Sequence, residues 1–111
     1  MSIRWLDCVF EGPFPIRYWD PPNSPALYCI MTKPDPQKNP KSFRILYFGK
    51  TKDLRDKNFW RSHKKMDCWK NFAGSDDNLF IGIYSMPNST AASRLEAIER
   101  LVDKYKPVCN Y

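Results

Sequence analysis

Proline placement decides most of what this chain can build. Five of its ten prolines fall in residues 1–25, as Gly12-Pro13-Phe14-Pro15 and Asp20-Pro21-Pro22-Asn23-Ser24-Pro25. Each fixes φ and removes a backbone donor, so this stretch is expected to be an extended or turning arm, not a helix. Its aromatic residues Trp5, Phe10, Phe14, Tyr18 and Trp19 are expected to pin the arm across the core. Later prolines act as punctuation. Pro25 and Lys33-Pro34 bound an apolar run at 26–32, whose length suits a strand; Pro87 closes another apolar run at 79–86; Pro107 ends a helix.

Between these marks the periodicity fills in the rest. Residues 33–41 form a lysine-rich loop, and 42–49 read as a second strand with Phe43, Ile45 and Tyr47 on one face and Leu46 and Phe48 on the other. A loop of that length joins the two runs as an antiparallel hairpin. Gly49 is expected to stop the strand and supply backbone freedom. Thr51 or Asp53 then caps a helix from about Leu54, with Leu54, Phe59 and Trp60 turned inward. Residues 65–73 continue helically, with Met66, Trp69 and Phe72 at spacings of three, and 74–78 form a turn. Asn88 or Ser89 caps the last helix, 90–105, whose apolar stripe is Leu95, Ile98, Leu101, Val102 and Tyr105. The expected class is therefore α/β of the α+β kind: a small central three-stranded antiparallel sheet flanked by helices, with an arm at 1–25 and a single domain at 26–111.

At 111 residues the chain has material for one core. No stretch approaches the roughly 20 apolar residues of a membrane span, so no membrane partner is expected. Arg4 and Asp7 interrupt the first ten residues, which lack a charged-then-apolar leader pattern, and a cytoplasmic location is the expectation. Cys8, Cys29, Cys68 and Cys109 are far apart and form no C-x-x-C pair, so reduced, mostly buried thiols are expected.

The formal charge is +6, and its distribution is more telling than its size. Residues 50–70 hold eight basic side chains (Lys50, Lys52, Arg55, Lys57, Arg61, Lys64, Lys65, Lys70) against Asp53, Asp56 and Asp67. Charge concentrated in this way attracts a polyanion, most commonly nucleic acid, although a solvated helix face is the plain alternative.

Several short motifs occur in an order that resembles the GIY-YIG nucleases. Ala26-Leu27-Tyr28 stands where that family has Gly-Ile-Tyr, and Tyr47-Phe48-Gly49 where it has Tyr-Ile-Gly. Lys50-Thr51-Lys52-Asp53-Leu54 is similar to the polar turn and helix start that follow. His63 resembles the family histidine, and Tyr105-Lys106-Pro107-Val108-Cys109-Asn110 resembles the Tyr-x-Pro-x-x-Asn close. The resemblance spans about residues 25–110. It implies phosphodiester hydrolysis in DNA, RNA not being excluded, with one divalent metal, Mg²⁺ or Mn²⁺.

Carried over by position, Tyr28 and Tyr47 flank the phosphate, one of them or His63 handles the proton, and Asn110 orients the site. The family arginine falls on Lys57, which supplies a point charge without the bidentate fork, so Arg61 or Arg55 is weighed as a substitute. The family glutamate falls beside Ile98; Glu99, one residue on, is the candidate metal ligand, with Glu96 further toward solvent. Lys50, Lys52, Arg55, Lys64, Lys65 and Lys70 are the candidate nucleic-acid contacts. A metal-dependent endonuclease is thus the leading reading. A catalytically weak or inactive nucleic-acid-binding module on the same fold is the alternative, and a domain for an acidic protein partner is a third.

Overall fold

The computed structural model describes residues 2–56 and 58–111. It is an α+β structure built on five strands: β1 (Ser2–Trp5), β2 (Cys8–Pro15), β3 (Ala26–Thr32), β4 (Arg44–Thr51) and β5 (Leu79–Ser85). Every pairing is antiparallel, in the order β1-β2-β5-β3-β4. Two helices accompany the sheet, α1 (Met66–Ala73) and α2 (Ala91–Tyr105), with 3-10 turns at Phe59–Ser62, Asp76–Asn78 and Val108–Asn110. The hairpin of β3 and β4 forms with Tyr28 opposite Gly49 and Cys29 opposite Phe48.

Three strands were expected and five are present, because the proline-rich arm contributes β1 and β2. Cys8, Phe10 and Gly12 are buried while Val9 and Glu11 are exposed, which is strand alternation hidden among prolines. Pro13 and Pro15 are tolerated because β1 stops pairing at Glu11, leaving the missing donors without a neighbour on that side. The register shift between Glu11 and Phe14 absorbs Gly12, whose φ of 115° suits glycine. The arm's aromatics do enter the core: Trp5, Phe10 and Trp19 are buried, Phe14 is half-buried, and only Tyr18 stands in solvent.

The sheet has two covered faces. Tyr28, Ile30, Ile81 and Ile83 meet Trp60, Trp69 and Leu54 on the first. Leu27, Cys29, Met31 and Phe48 meet Ile98 and Leu101 of α2, with Trp5 and Phe10, on the second. A register shift between Ile30 and Met31 changes the faces expected along β4. Tyr47 lies with the first cluster, next to buried Leu46, whereas Ile45 and Phe43 join Phe48 on the second.

The helix expected from Leu54 does not form. The Thr51 hydroxyl accepts from Asp53 N–H at 3.2 Å and donates to Asp53 C=O at 3.0 Å, and Asp56 accepts from Asn58 N–H at 2.9 Å. Such local side-chain bonds compete with helical pairing, and regular helix begins only at Met66. In α2 the cap is Thr90, not Asn88 or Ser89: Thr90 and Ser93 satisfy each other's backbone donors in a capping box. Within the helix Arg94, Ile98 and Leu101 face inward, and Leu95, expected in the stripe, is exposed.

The cysteine expectation is also corrected. Cys68 of α1 and Cys109 of the C-terminal turn form a disulfide across 41 residues, while Cys8 and Cys29 are free and buried. Their separation in sequence concealed that α1 and the tail meet behind Tyr47. Among the described residues, no helix is long and apolar enough to cross a membrane.

Candidate active site

Tyr28 and Gly49 face each other across the hairpin, and the tyrosine ring lies on the glycine. A Cβ at position 49 would overlap the ring and hydroxyl of Tyr28. Close approach is therefore what Gly49 supplies, and β4 runs on through it to Thr51 instead of stopping as expected. Phe59 meets the Tyr28 ring edge-on at 5.0 Å, closing the other side.

His63 follows the Phe59–Ser62 turn, stacks on Trp69 at 4.6 Å and meets Tyr47 edge-on at 5.3 Å. The backbone N–H of Lys65 lies 3.0 Å from its Nδ1. An amide N–H can only donate, so Nδ1 carries a lone pair and the neutral ring holds its proton on Nε2. Nε2 is 3.0 Å from Tyr28 Oη, and therefore donates to it. Tyr47 is the ring neighbour of Tyr28, 6.1 Å between centroids, and the two phenols act on each other, Tyr47 raising the Tyr28 pKa and Tyr28 lowering that of Tyr47. Hydrogen bonds link Lys65 N–H, His63 and Tyr28 in that order, and the half-buried Tyr47 lies beside Tyr28.

Burial sets the charge of this cluster. It pushes Tyr28 far above the usual phenol value, with Tyr47 adding to the effect, and it raises Tyr47 despite the opposing effect of Tyr28. Burial also holds His63 below its ordinary 6.5, helped by the positive charges of Lys64 and Lys65. All three groups are accordingly neutral at pH 7. At rest Tyr47 offers a donor; deprotonated, the same oxygen becomes a proton acceptor.

Asn110 reaches the site through the backbone. Its Oδ1 accepts from Phe48 N–H and its Nδ2 donates to Phe48 C=O, both at 2.9 Å. β4 is an edge strand, and this amide pairs its outer edge between Tyr47 and Gly49. The Cys68–Cys109 bond ties the Asn110 segment to α1, so the amide and the Trp69 wall are held by one link.

The basic residues are less convergent. Arg55 makes a two-pronged pair with Asp53, Nε to Oδ1 at 2.9 Å and Nη2 to Oδ2 at 2.6 Å, and faces solvent. Arg61 is exposed, lying over Trp60 at 4.4 Å with Nε 3.4 Å from Asn58 Oδ1. Lys64 and Lys70 are exposed, the latter 3.9 Å from Asp76; Lys65 Nζ is 3.5 Å from Tyr111 C=O. Lys50 and Lys52 are exposed near the end of β4. Lys57 lies outside the described residues.

Glu99 is not brought to the tyrosines. It is exposed on α2, which packs against the second face of the sheet while Tyr28, Tyr47 and His63 occupy the first. Glu96 is exposed on the same helix. Among the described residues no three His, Cys, Asp or Glu side chains gather as a metal-holding group. The side chains present at the tyrosine site do not fit the metal-ligand assignment the resemblance implies.

Sequence reading missed three supports: the Lys65 amide that fixes the histidine tautomer, Trp69 as the ring beneath it, and the disulfide. Trp69 is at the same time part of the core. No family model matches the chain, and neither a curated protein nor a solved structure matches it.

Proposed function

We propose that the protein hydrolyses phosphodiester bonds in DNA at the tyrosine–histidine cluster. The observation that carries this reading is the 3.0 Å contact between His63 Nε2 and Tyr28 Oη, made by a histidine whose other nitrogen is already occupied. The pairing gives Tyr28 one orientation beside Tyr47. Tyr28 partly offsets the burial that disfavours the Tyr47 phenolate. Tyr47, as the phenolate formed when its proton passes to solvent, takes the proton of the attacking water as the new P–O bond forms. The leaving oxygen keeps the electron pair of the broken P–O bond and is protonated from water. Arg61, Lys64 and Lys65, in the same segment as His63, supply positive field for the strand and for charge developing on phosphorus. No step is assigned to a metal, so Mg²⁺ and Mn²⁺ enter as conditions of the test.

The test is relaxation of supercoiled plasmid with no added ion, with Mg²⁺ and with Mn²⁺. Nicking should be present in the parent and fall about 100-fold or more in Tyr47→Phe, the usual scale for losing a positioned acid or base. Glu99→Ala should cleave like the parent. Loss of cleavage in Glu99→Ala with the fold intact would contradict the site as drawn.

A second reading has its own support. With Glu99 on the far face and the cluster neutral at rest, Tyr47 is a donor suited to holding a phosphate oxygen without cleaving the ester. That version predicts salt-sensitive DNA binding, from counterion release by the basic segment, with no nicking under any ion.

A further inference from the structure

Arg94 is an anomaly in α2. It is one of only two buried polar or charged residues among those described, with 6% of its surface exposed, on a helix face otherwise occupied by Ile98 and Leu101. Its Nη1 donates to Ser89 C=O at 3.0 Å and to Ser89 Oγ at 2.6 Å, both neutral acceptors. Among the described residues no carboxylate lies within ion-pair distance of it. A cation removed from water and left without a counter-ion is costly, and an anion bound beside it offsets that cost.

The surroundings repeat the same sign. Arg94 lines a cavity of about 250 Å³ together with Lys50, Thr51, Lys52 and Ala91, and no acidic side chain is among them. Lys50 comes from the end of β4 and Lys52 from the residue just after it, Ala91 from the first turn of α2, so two parts of the fold converge on one concavity. The positive end of α2 adds to three full charges. A low-dielectric wall on one side focuses that field into the opening.

We propose that this cavity is an anion site for a phosphate group, held by Arg94, Lys50 and Lys52 with the Thr51 hydroxyl beside them. The guanidinium offers directed donors and the two lysines offer mobile point charges, the combination that suits a tetrahedral oxyanion. It is separate from the tyrosine site: Leu27, the cross-strand partner of Lys50, lies on the second face, whereas Tyr28 and Tyr47 lie on the first. The phosphate comes either from a nucleic-acid backbone passing the end of β4 or from a free phosphate. The inference does not depend on cleavage at Tyr47.

Backbone amide NMR of the whole chain separates these outcomes, with inorganic phosphate in one titration and a short single-stranded oligothymidylate in another. Phosphate should give saturable shifts at Lys50, Thr51, Lys52, Ala91 and Arg94, with the midpoint raised about tenfold or more in Lys50→Ala/Lys52→Ala. That double variant changes only exposed side chains and keeps the test valid if Arg94→Lys fails to fold. Shifts at these amides with the oligonucleotide as well assign the group to a nucleic-acid backbone. Shifts with phosphate alone assign it to a free phosphate. Silence of these amides in both titrations, or an unchanged midpoint in the double variant, overturns the site. Oligonucleotide shifts at Tyr47 and His63 report on the tyrosine site separately.

Discussion

The two faces of the sheet solve the same problem with different materials. On the second face a 15-residue amphipathic helix covers alternating apolar residues of β3 and β4, and the contact is plain packing around Ile98 and Leu101. On the first face a four-residue 3-10 turn and an eight-residue helix cover the same strands, and three hydrogen-bonding rings sit in the contact. Short irregular cover cannot hold such a group by helix packing alone. It is fixed instead by particular devices: a glycine under a ring, an asparagine pairing a strand edge, an amide on an imidazole and a disulfide. Regular packing tolerates exchange of one apolar residue for another, whereas the glycine, the asparagine and the cysteine pair each depend on their own residue type; the amide on the imidazole needs only a residue other than proline at position 65.

The largest expected separation between the faces comes from the disulfide. Reduction should cost about 4 kcal/mol, the loop-entropy estimate for a closure of this length, and should loosen the first face specifically. Urea unfolding with and without reductant gives the size; exchange of the His63, Lys65 and Phe48 amides shows the place. Uniform loosening of α2 as well would erase the distinction. Leu101→Ala should cost about 3 kcal/mol by cavity formation while leaving DNA binding and cleavage per folded molecule unchanged.

Gly49→Ala should cost about 2 kcal/mol, because the new methyl meets the Tyr28 ring, and the cost should shrink when Tyr28→Ala is added. Additive costs in that cycle would place the glycine requirement elsewhere. The smallest effect is the pH dependence from His63. Its folded pKa lies below 6.5, so its contribution is complete above pH 6.5, where both states are neutral. That contribution is lost as pH falls toward the folded value, because the unfolded chain takes the proton more readily. Unfolding midpoints between pH 5 and 8 should therefore decline on the acid side for the parent and less so for His63→Gln.

How much of this could be read from the sequence follows the same division. β3 was legible as an unbroken apolar run between prolines, and β5 and α2 because their apolar residues recur along seven and fifteen positions. The β1–β2 hairpin was not, since proline content outweighed a short alternation from Cys8 to Gly12. At the site, Tyr28, Tyr47, His63 and Asn110 were singled out by order along the chain, and the structure brings them together around Phe48 and Gly49. Glu99 was chosen because the family glutamate position falls beside it at Ile98. Such a count gives its place along α2 but not the face of the sheet on which α2 lies. Arg94 lies one turn before Ile98 on the same face of α2, a place the spacing gave, but as a charged residue it was left out of the apolar stripe.

On the reading proposed above, Tyr47, beside the hydrogen-bonded His63–Tyr28 pair, accepts the proton of the attacking water as its phenolate. The initial rate of plasmid nicking against pH tests it most directly. Since burial keeps Tyr47 above the ordinary phenol value of 10, the rate should rise about tenfold per pH unit from 7 to 9, and the rise should vanish in Tyr47→Phe. A rate that is flat over that range, or a Tyr47→Phe variant that cleaves with the parent's profile, would contradict it.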